Sequence, residues 1–371
     1  MNALRPGIAL SDEQRLSWLQ LARSQNVGPV SFVKLINHFG SASEALAAVP
    51  ELVKRAGGRR IKLATRDDAE RELAALHRGG GWTVCMGEPD YPSALRAADG
   101  PPPLLSCFGQ RAILREDAVA FVGSRNASIS GVKFTRQLAA DVARGGYAVV
   151  SGLARGIDAA AHEATVKKGT VAVFAGGIDV VYPHENRALS QAIPEHGVLI
   201  TEMPLGWKPR AQDFPRRNRI VAGMSLGVVV VEAARRSGSL ITARLANEMG
   251  RQVFAVPGSP LDPRSDGANH LIRQGATLIT CADDVLSEIG SMSEHERLNL
   301  ADPGGAPDLE EPSSSDRERL LEAIGQTPTD VDDLLAFTSI SAGALQMLLL
   351  ELDLSGALER HSGNRVSRVQ D

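Results

Sequence analysis

The chain has 371 residues, too many for one ordinary domain and enough for two or three. Its 43% hydrophobic and 23% charged residues exclude disordered, collagenous and low-complexity classes for most of the length. A net charge of −4 excludes a globally basic nucleic-acid binder but leaves room for a local basic patch.

Residues 1–79 read as a small helical module of the SAM-like or helix-hairpin-helix kind. SDEQRLSWLQLARS opens with Ser11 and Asp12 as capping residues, and Leu16, Leu19 and Leu21 supply an apolar side. Val27-Gly28-Pro29-Val30 and Phe39-Gly40-Ser41 then separate successive helices. A helix-hairpin-helix offers backbone amides to phosphate; the plainer reading is a packing module, and the sequence leaves both open.

Residues 80–290 change period. Trp82–Cys85 and Leu104–Phe108 read as short strands around AADGPPP. Strands and helices then alternate. Expected strands are Ala118–Val122, Tyr147–Val150, Thr170–Phe174, Gly197–Thr201, Leu226–Val231, Gln252–Val256 and Thr277–Ile279. Expected helices include Gly131–Ala143, Ile157–Lys167, Arg216–Ala222 and Leu240–Glu248. The strands are continuously apolar, as in GVVVVE, which predicts cover on both faces. The fold class is α/β, a doubly wound, mainly parallel sheet.

Residues 291–316, rich in Pro, Gly, Ser and acid, read as a linker. Residues 317–371 read as a winged helix: three short helices, then ALERHSGNRVSRV as a two-stranded wing. Such modules often bind DNA. The third helix, GALQMLLLELDL, offers few cations, so nucleic-acid contact and protein contact both stay open.

Cys85, Cys107 and Cys281 stand far apart, which fits neither zinc spacing nor a secreted disulfide scaffold. No run approaches the roughly 18 apolar residues of a membrane span, and MNALRPGIALSDEQ lacks a signal peptide's apolar core. The expected setting is soluble and cytoplasmic, with no membrane contact.

In open α/β sheets ligands gather at the carboxyl ends of the strands. Here those ends carry Gly123-Ser124-Arg125, Ser151-Gly152 and Ser237-Gly238-Ser239. Glycine allows close approach, serine adds a hydroxyl, and helix N-termini favour anions. Neither G-x-G-x-x-G nor G-x-x-x-x-G-K-S/T occurs, so no dinucleotide, ATP or other cofactor is expected. Arg125 reads instead as a cation aimed at a phosphate.

WKPRAQDFPRRNRI sets Lys208, Arg210, Arg216, Arg217 and Arg219 against Asp213 alone, a basic patch suited to a nucleic-acid backbone. Phe214 among them reads as a base-stacking ring or as a core anchor. No catalytic constellation and no metal cluster is legible: a G-x-S-x-G elbow is missing. Asp158 and His162, four apart on one helix, could ligate a metal with a third group, but no partner motif is visible, and the favoured reading is Asp158 as a cap near the helix start. Glu202 and Glu232 end strands and read as bases or as binders of arginine, and for Glu232, with five cations nearby, orienting the arginines is the favoured reading.

At these residues the sequence resembles the DNA-processing protein A (DprA/Smf) family. The shared motifs are FVGSRNASISG, SGLARGIDAAAH, AVFAGGIDVVYPHEN, FPRRNRIVAG through VVVVEAARRSGSLITA, and VFAVPGS with GANHLIRQGA. The resemblance implies an extended Rossmann-like domain that binds single-stranded DNA without sequence preference. It implies protection of incoming strands in natural transformation, loading of the RecA recombinase, a homodimer, and no established catalysis. The implied DNA contacts fall on Gly123, Ser124, Arg125, Ser151, Gly152, Phe214, Arg216, Arg217, Asn218, Arg219, Ser237, Gly238 and Ser239. Leu271, Ile272 and Leu278 are candidates for the implied dimer contact, with a core position the favoured reading for Leu278. The rival class is a Rossmann-like nucleotide phosphoribohydrolase. RRSGSLITA lacks that class's Pro-Gly-Gly-x-Gly-Thr turn and acid.

Overall fold

A computed structural model describes residues 7–58, 61–291, 309–361 and 363–369. They fall into two compact units. One joins the described chain up to Arg71, the Gly87–Pro89 turn and the chain from 309 onward; the other holds Glu72–Met86 and Asp90–291. Of the expected linker, residues 292–308 lie outside the described residues.

The second unit is built on a nine-stranded sheet. Its elements are β1 (Trp82–Cys85), β2 (Leu104–Gly109), β3 (Ala118–Gly123), β4 (Ala148–Ser151), β5 (Thr170–Val173), β6 (Val198–Thr201), β7 (Gly227–Val231), β8 (Gln252–Ala255) and β9 (Thr277–Leu278). The spatial order is β1-β2-β6-β5-β4-β3-β7-β8-β9. From β6 to β9 every pairing is parallel. β1 and β2 extend the same sheet antiparallel beyond β6. The chain winds outward from β3 through β4, β5 and β6, then returns to the other side of β3 with β7. The order reverses between β3 and β7, so the topological switch point lies at the tips of these two strands, with the tip of β4 next to it.

Both faces of the parallel part are covered, and β4 to β7 are buried along their whole length. The helices over them that shape the site are α6 (Ile129–Arg144), α7 (Ile157–Thr165), α9 (Asp213–Gly223) and α10 (Gly238–Glu248). The others are α5 (Ser93–Arg96), α8 (Arg187–His196), α11 (Asp266–Arg273) and α12 (Ala282–Gly290). Val119, Phe121, Leu138, Val229 and Phe254 form the centre of one core layer. The antiparallel β1–β2 extension was not legible as part of this sheet, because local sequence carries no signal for sheet order.

The first unit begins with α1 (Asp12–Ala22), α2 (Pro29–Phe39) and α3 (Ala42–Arg55); α4 (Arg66–Arg78) contains the boundary between the units. Ser11 and Gln14 form a reciprocal capping box on α1. Gly40, at φ 80°, ends α2 in the left-handed conformation. The unit is completed by α13 (Ser314–Ala323), β10 (Thr329–Asp330), α14 (Val331–Thr338), α15 (Ala342–Ser355), β11 (Leu358–His361) and β12 (Arg365–Arg368). The three strands pair antiparallel in the order β10-β12-β11, which makes the expected winged helix.

Candidate nucleic-acid interface

The tip of β3 is stitched to its neighbours by backbone. The Ser124 amide donates to the Val231 carbonyl, and the Ser124 carbonyl accepts from Ile157, the first residue of α7. Gly123 is required there: a Cβ would stand 1.9 Å from the Val231 oxygen. Gly156, at φ +76°, is required twice, since a Cβ would also meet the Ser124 carbonyl at 2.2 Å.

A cavity of about 270 Å³ opens above these turns, lined by Arg125, Gly152, Arg155, Tyr182, Phe214 and Arg217 among others. The Phe214 ring is half-buried at its rim. Its centroid lies 5.6 Å from that of Tyr182 and 5.5 Å from the Arg125 guanidinium. Tyr182 is 50% exposed. Phe214 is therefore a partly open ring in a cation–aromatic cluster, and not a core anchor.

Arg217 forms the floor. It is buried, and its Nη1 donates to the Val173 carbonyl at 2.9 Å. Burial pulls its pKa down, and the nearby Asp158 charge opposes that shift. Asp158 is buried too and accepts from the amides of Gly152 at 3.2 Å and Ala154 at 3.3 Å. Asp158 therefore ties down the turn ahead of α7, where the sequence suggested a cap on the helix itself. Burial raises its pKa, and Arg217 works against the rise. His162 Nδ1 pairs with Thr170 Oγ1 at 2.9 Å, and burial pushes its pKa down to about 3. It is a neutral core histidine. Among the described residues no group of three His, Cys, Asp or Glu is placed to hold a metal.

Four cations of the basic run divide among different partners. Arg216 Nε pairs with Glu202 at 2.8 Å, and Arg219 pairs with the other oxygen of the same carboxylate. Arg210 lies over the Trp207 ring. Asp213 is buried and accepts from Trp207 Nε1 and the Arg210 amide. Only Arg217 of the five lines the cavity. The acid that orients arginines is Glu202. Glu232 instead accepts from the amide and hydroxyl of Ser128, at the start of α6. It does so from a left-handed φ of 49°, and a Cβ on Gly131 would collide with its carboxylate.

Of the remaining expected contacts, Ser151 is buried with its hydroxyl given to the Phe121 carbonyl. Ser237 accepts from the Ser239 amide and caps α10. Asn218 Nδ2 reaches the Gly238 carbonyl at 3.4 Å, so the middle of α9 is tied to the start of α10. Leu271 and Ile272 are half-buried, and Leu278 is 48% exposed on β9. The expectation of a core Leu278 is overturned: β9 is the sheet's last strand, so one side lacks a neighbour. Sequence reasoning did not single out Tyr182, His184 or Arg155, because they sit in segments without periodicity.

The chain matches the family model "DNA recombination-mediator protein A" over residues 82–290. It matches "DprA-like N-terminal HHH domain" over 12–75 and "DprA winged helix domain" over 304–364. The chain belongs to the DprA/Smf family. The Synechocystis Protein Smf is 30% identical over 97% of this chain and 100% of that one. The DNA processing protein DprA of Bacillus subtilis is 42% identical over 59% of this chain and 75% of that one. The X-ray structure of Streptococcus pneumoniae DprA superposes with a TM-score of 0.62 at 33% identity, covering 76% of this chain and 99% of that one. The Helicobacter pylori DNA processing protein A, solved for its single-stranded DNA binding mode, gives a TM-score of 0.52 at 29% identity. That match covers 56% of this chain and 95% of that one. In this DprA/Smf member no helix among the described residues is long and apolar enough to cross a membrane.

Proposed function

We propose that this protein binds single-stranded DNA without sequence preference at the tips of β3, β4 and β7. In this reading it protects incoming strands during natural transformation in the cytoplasm and loads RecA onto them, with no catalytic step of its own. One observation carries it: three guanidiniums, of Arg125, Arg155 and Arg217, share a cavity with the rings of Tyr182 and Phe214. Cations answer phosphates, and an open ring answers any base because every base has a π-face. The single-stranded DNA binding of the Helicobacter pylori relative supports the same ligand.

Gly123, Ser124, Gly152 and Ser151 act here by shaping the crevice, and Arg125, Phe214 and Arg217 by touching the strand. Asn218 with Ser237, Gly238 and Ser239 would extend the track, with Arg216 and Arg219 at its side. The protein works as a homodimer through Leu271, Ile272 and Leu278, and the exposure of Leu278 on an edge strand supports that contact. The deciding experiment is a gel shift with single-stranded and duplex DNA across salt concentrations. Preference for the single strand, with affinity falling as salt rises, is expected; equal binding to duplex or a flat salt response overturns the reading. RecA loading is tested by filament assembly on single strands with and without the protein.

A further inference from the structure

A winged helix reads duplex DNA by laying a helix of its helical bundle in the major groove. Here that helix is α15, and it has no free face. Leu345, Leu348, Leu349 and Leu352 belong to the winged helix's own core. Met347, Leu350 and Leu354 are also fully buried but lie outside that cluster. They recur at helical spacing on a second face, and α15 packs against α2 and α3.

Polar side chains bridge this contact. Ser31 on α2 donates to Asp353 on α15, and Arg360 on β11 donates to the same carboxylate oxygen at 3.1 Å. Lys34 on α2 donates to Gln346. Asn26, in the Gly-Pro turn before α2, donates to the Leu354 carbonyl at 3.0 Å. The turn before α2 and the helix that a winged helix would lay in a groove are thus bonded to each other through the Asn26 side chain.

We infer that the winged helix is a clasp that folds onto the N-terminal helices, and that it does not read duplex DNA through α15. Chemistry agrees with geometry: α15 carries Glu351 and Asp353 and no Lys or Arg, so an exposed α15 would still repel phosphate.

The test uses the full chain. Ser31→Cys with Asp353→Cys, in a Cys281→Ser background that removes the exposed free thiol, should close a disulfide under mild oxidation. Affinity for a duplex oligonucleotide should then agree within twofold between the oxidised and reduced protein. Thiols that stay free would overturn the docking. Duplex affinity that rises tenfold on reduction would overturn the inference by making the clasp a gate over a DNA-reading helix. Leu350→Asp supplies a second arm. Amides of α2 and α3 should exchange at least tenfold faster while those of β3 to β7 keep their rates. Unchanged exchange in α2 and α3 would contradict the clasp.

Discussion

A methyl group on Gly152 would stand 1.7 Å from Nη1 of Arg217. The tip of β4 is thus moulded on a buried guanidinium, and the cavity floor exists because residue 152 has no side chain. Gly152→Ala should expel Arg217, leaving Asp158 buried without its opposing charge. It would also strip the buried Val173 carbonyl of the Arg217 bond, and a buried acceptor left unsatisfied costs about 1–3 kcal/mol. Urea denaturation should show a loss of that order, and single-stranded DNA affinity should fall at least tenfold.

Arg125 and Phe214 should contribute different terms to binding. Arg125→Ala should lower the salt slope by about one unit, as expected when one phosphate contact is lost. Phe214→Ala should leave the slope in place and cost about 1–3 kcal/mol at every salt concentration, the stacking contribution of one base. Fluorescence anisotropy titrations from low to high salt separate the two. By contrast Arg216→Ala should change affinity little, since its guanidinium is already held by Glu202.

Leu278 is the sharper probe of self-association, being exposed on an edge strand where Leu271 is half-buried. Leu278→Arg should give a folded monomer in sedimentation at micromolar concentration, and Leu271→Arg should do the same. Each should bind long oligonucleotides less tightly and short ones almost unchanged, because avidity needs two sites on one strand. A wild-type monomer would end the dimer proposal.

Lys34 makes the stability of the first unit pH-dependent. Burial and the Arg360 charge push its pKa down from 10.5 to about 7, against the pull of Asp353. The folded state therefore binds fewer protons than the unfolded state between about pH 7 and 10.5, and stability should rise with pH across that window. Lys34→Met should flatten the rise and add about 1–3 kcal/mol at neutral pH, read by thermal unfolding at several pH values.

The strands were legible because a strand covered on both faces needs an unbroken apolar run, and GVVVVE has one. The glycine-serine tips were legible because close backbone approach leaves few residue choices. The facing of the arginines was not. Residues 216, 217 and 219 lie on one helix, where each step turns the side chain by about 100°. One of them points into the sheet's end and two point to Glu202. Which of Glu202 and Glu232 binds the arginines was not legible for a related reason: both follow strands, and only the three-dimensional order of those strands says which acid meets α9. The buried state of α15 did have a signal, since GALQMLLLELDL is apolar nearly all round and such a helix must be covered.

The pairing of α15 with α2 and α3 has a consequence for biosynthesis. The ribosome makes α2 and α3 about 300 residues before α15, an interval of roughly 15–60 s at 5–20 residues per second. The nine-stranded unit is completed within that wait. The early helices meanwhile keep a wet apolar surface whose partner has not been translated. Contacts this distant in sequence form last and slowly. These early helices are therefore among the last to reach their native packing, and nascent-chain protection by a holdase should matter most for residues 29–55.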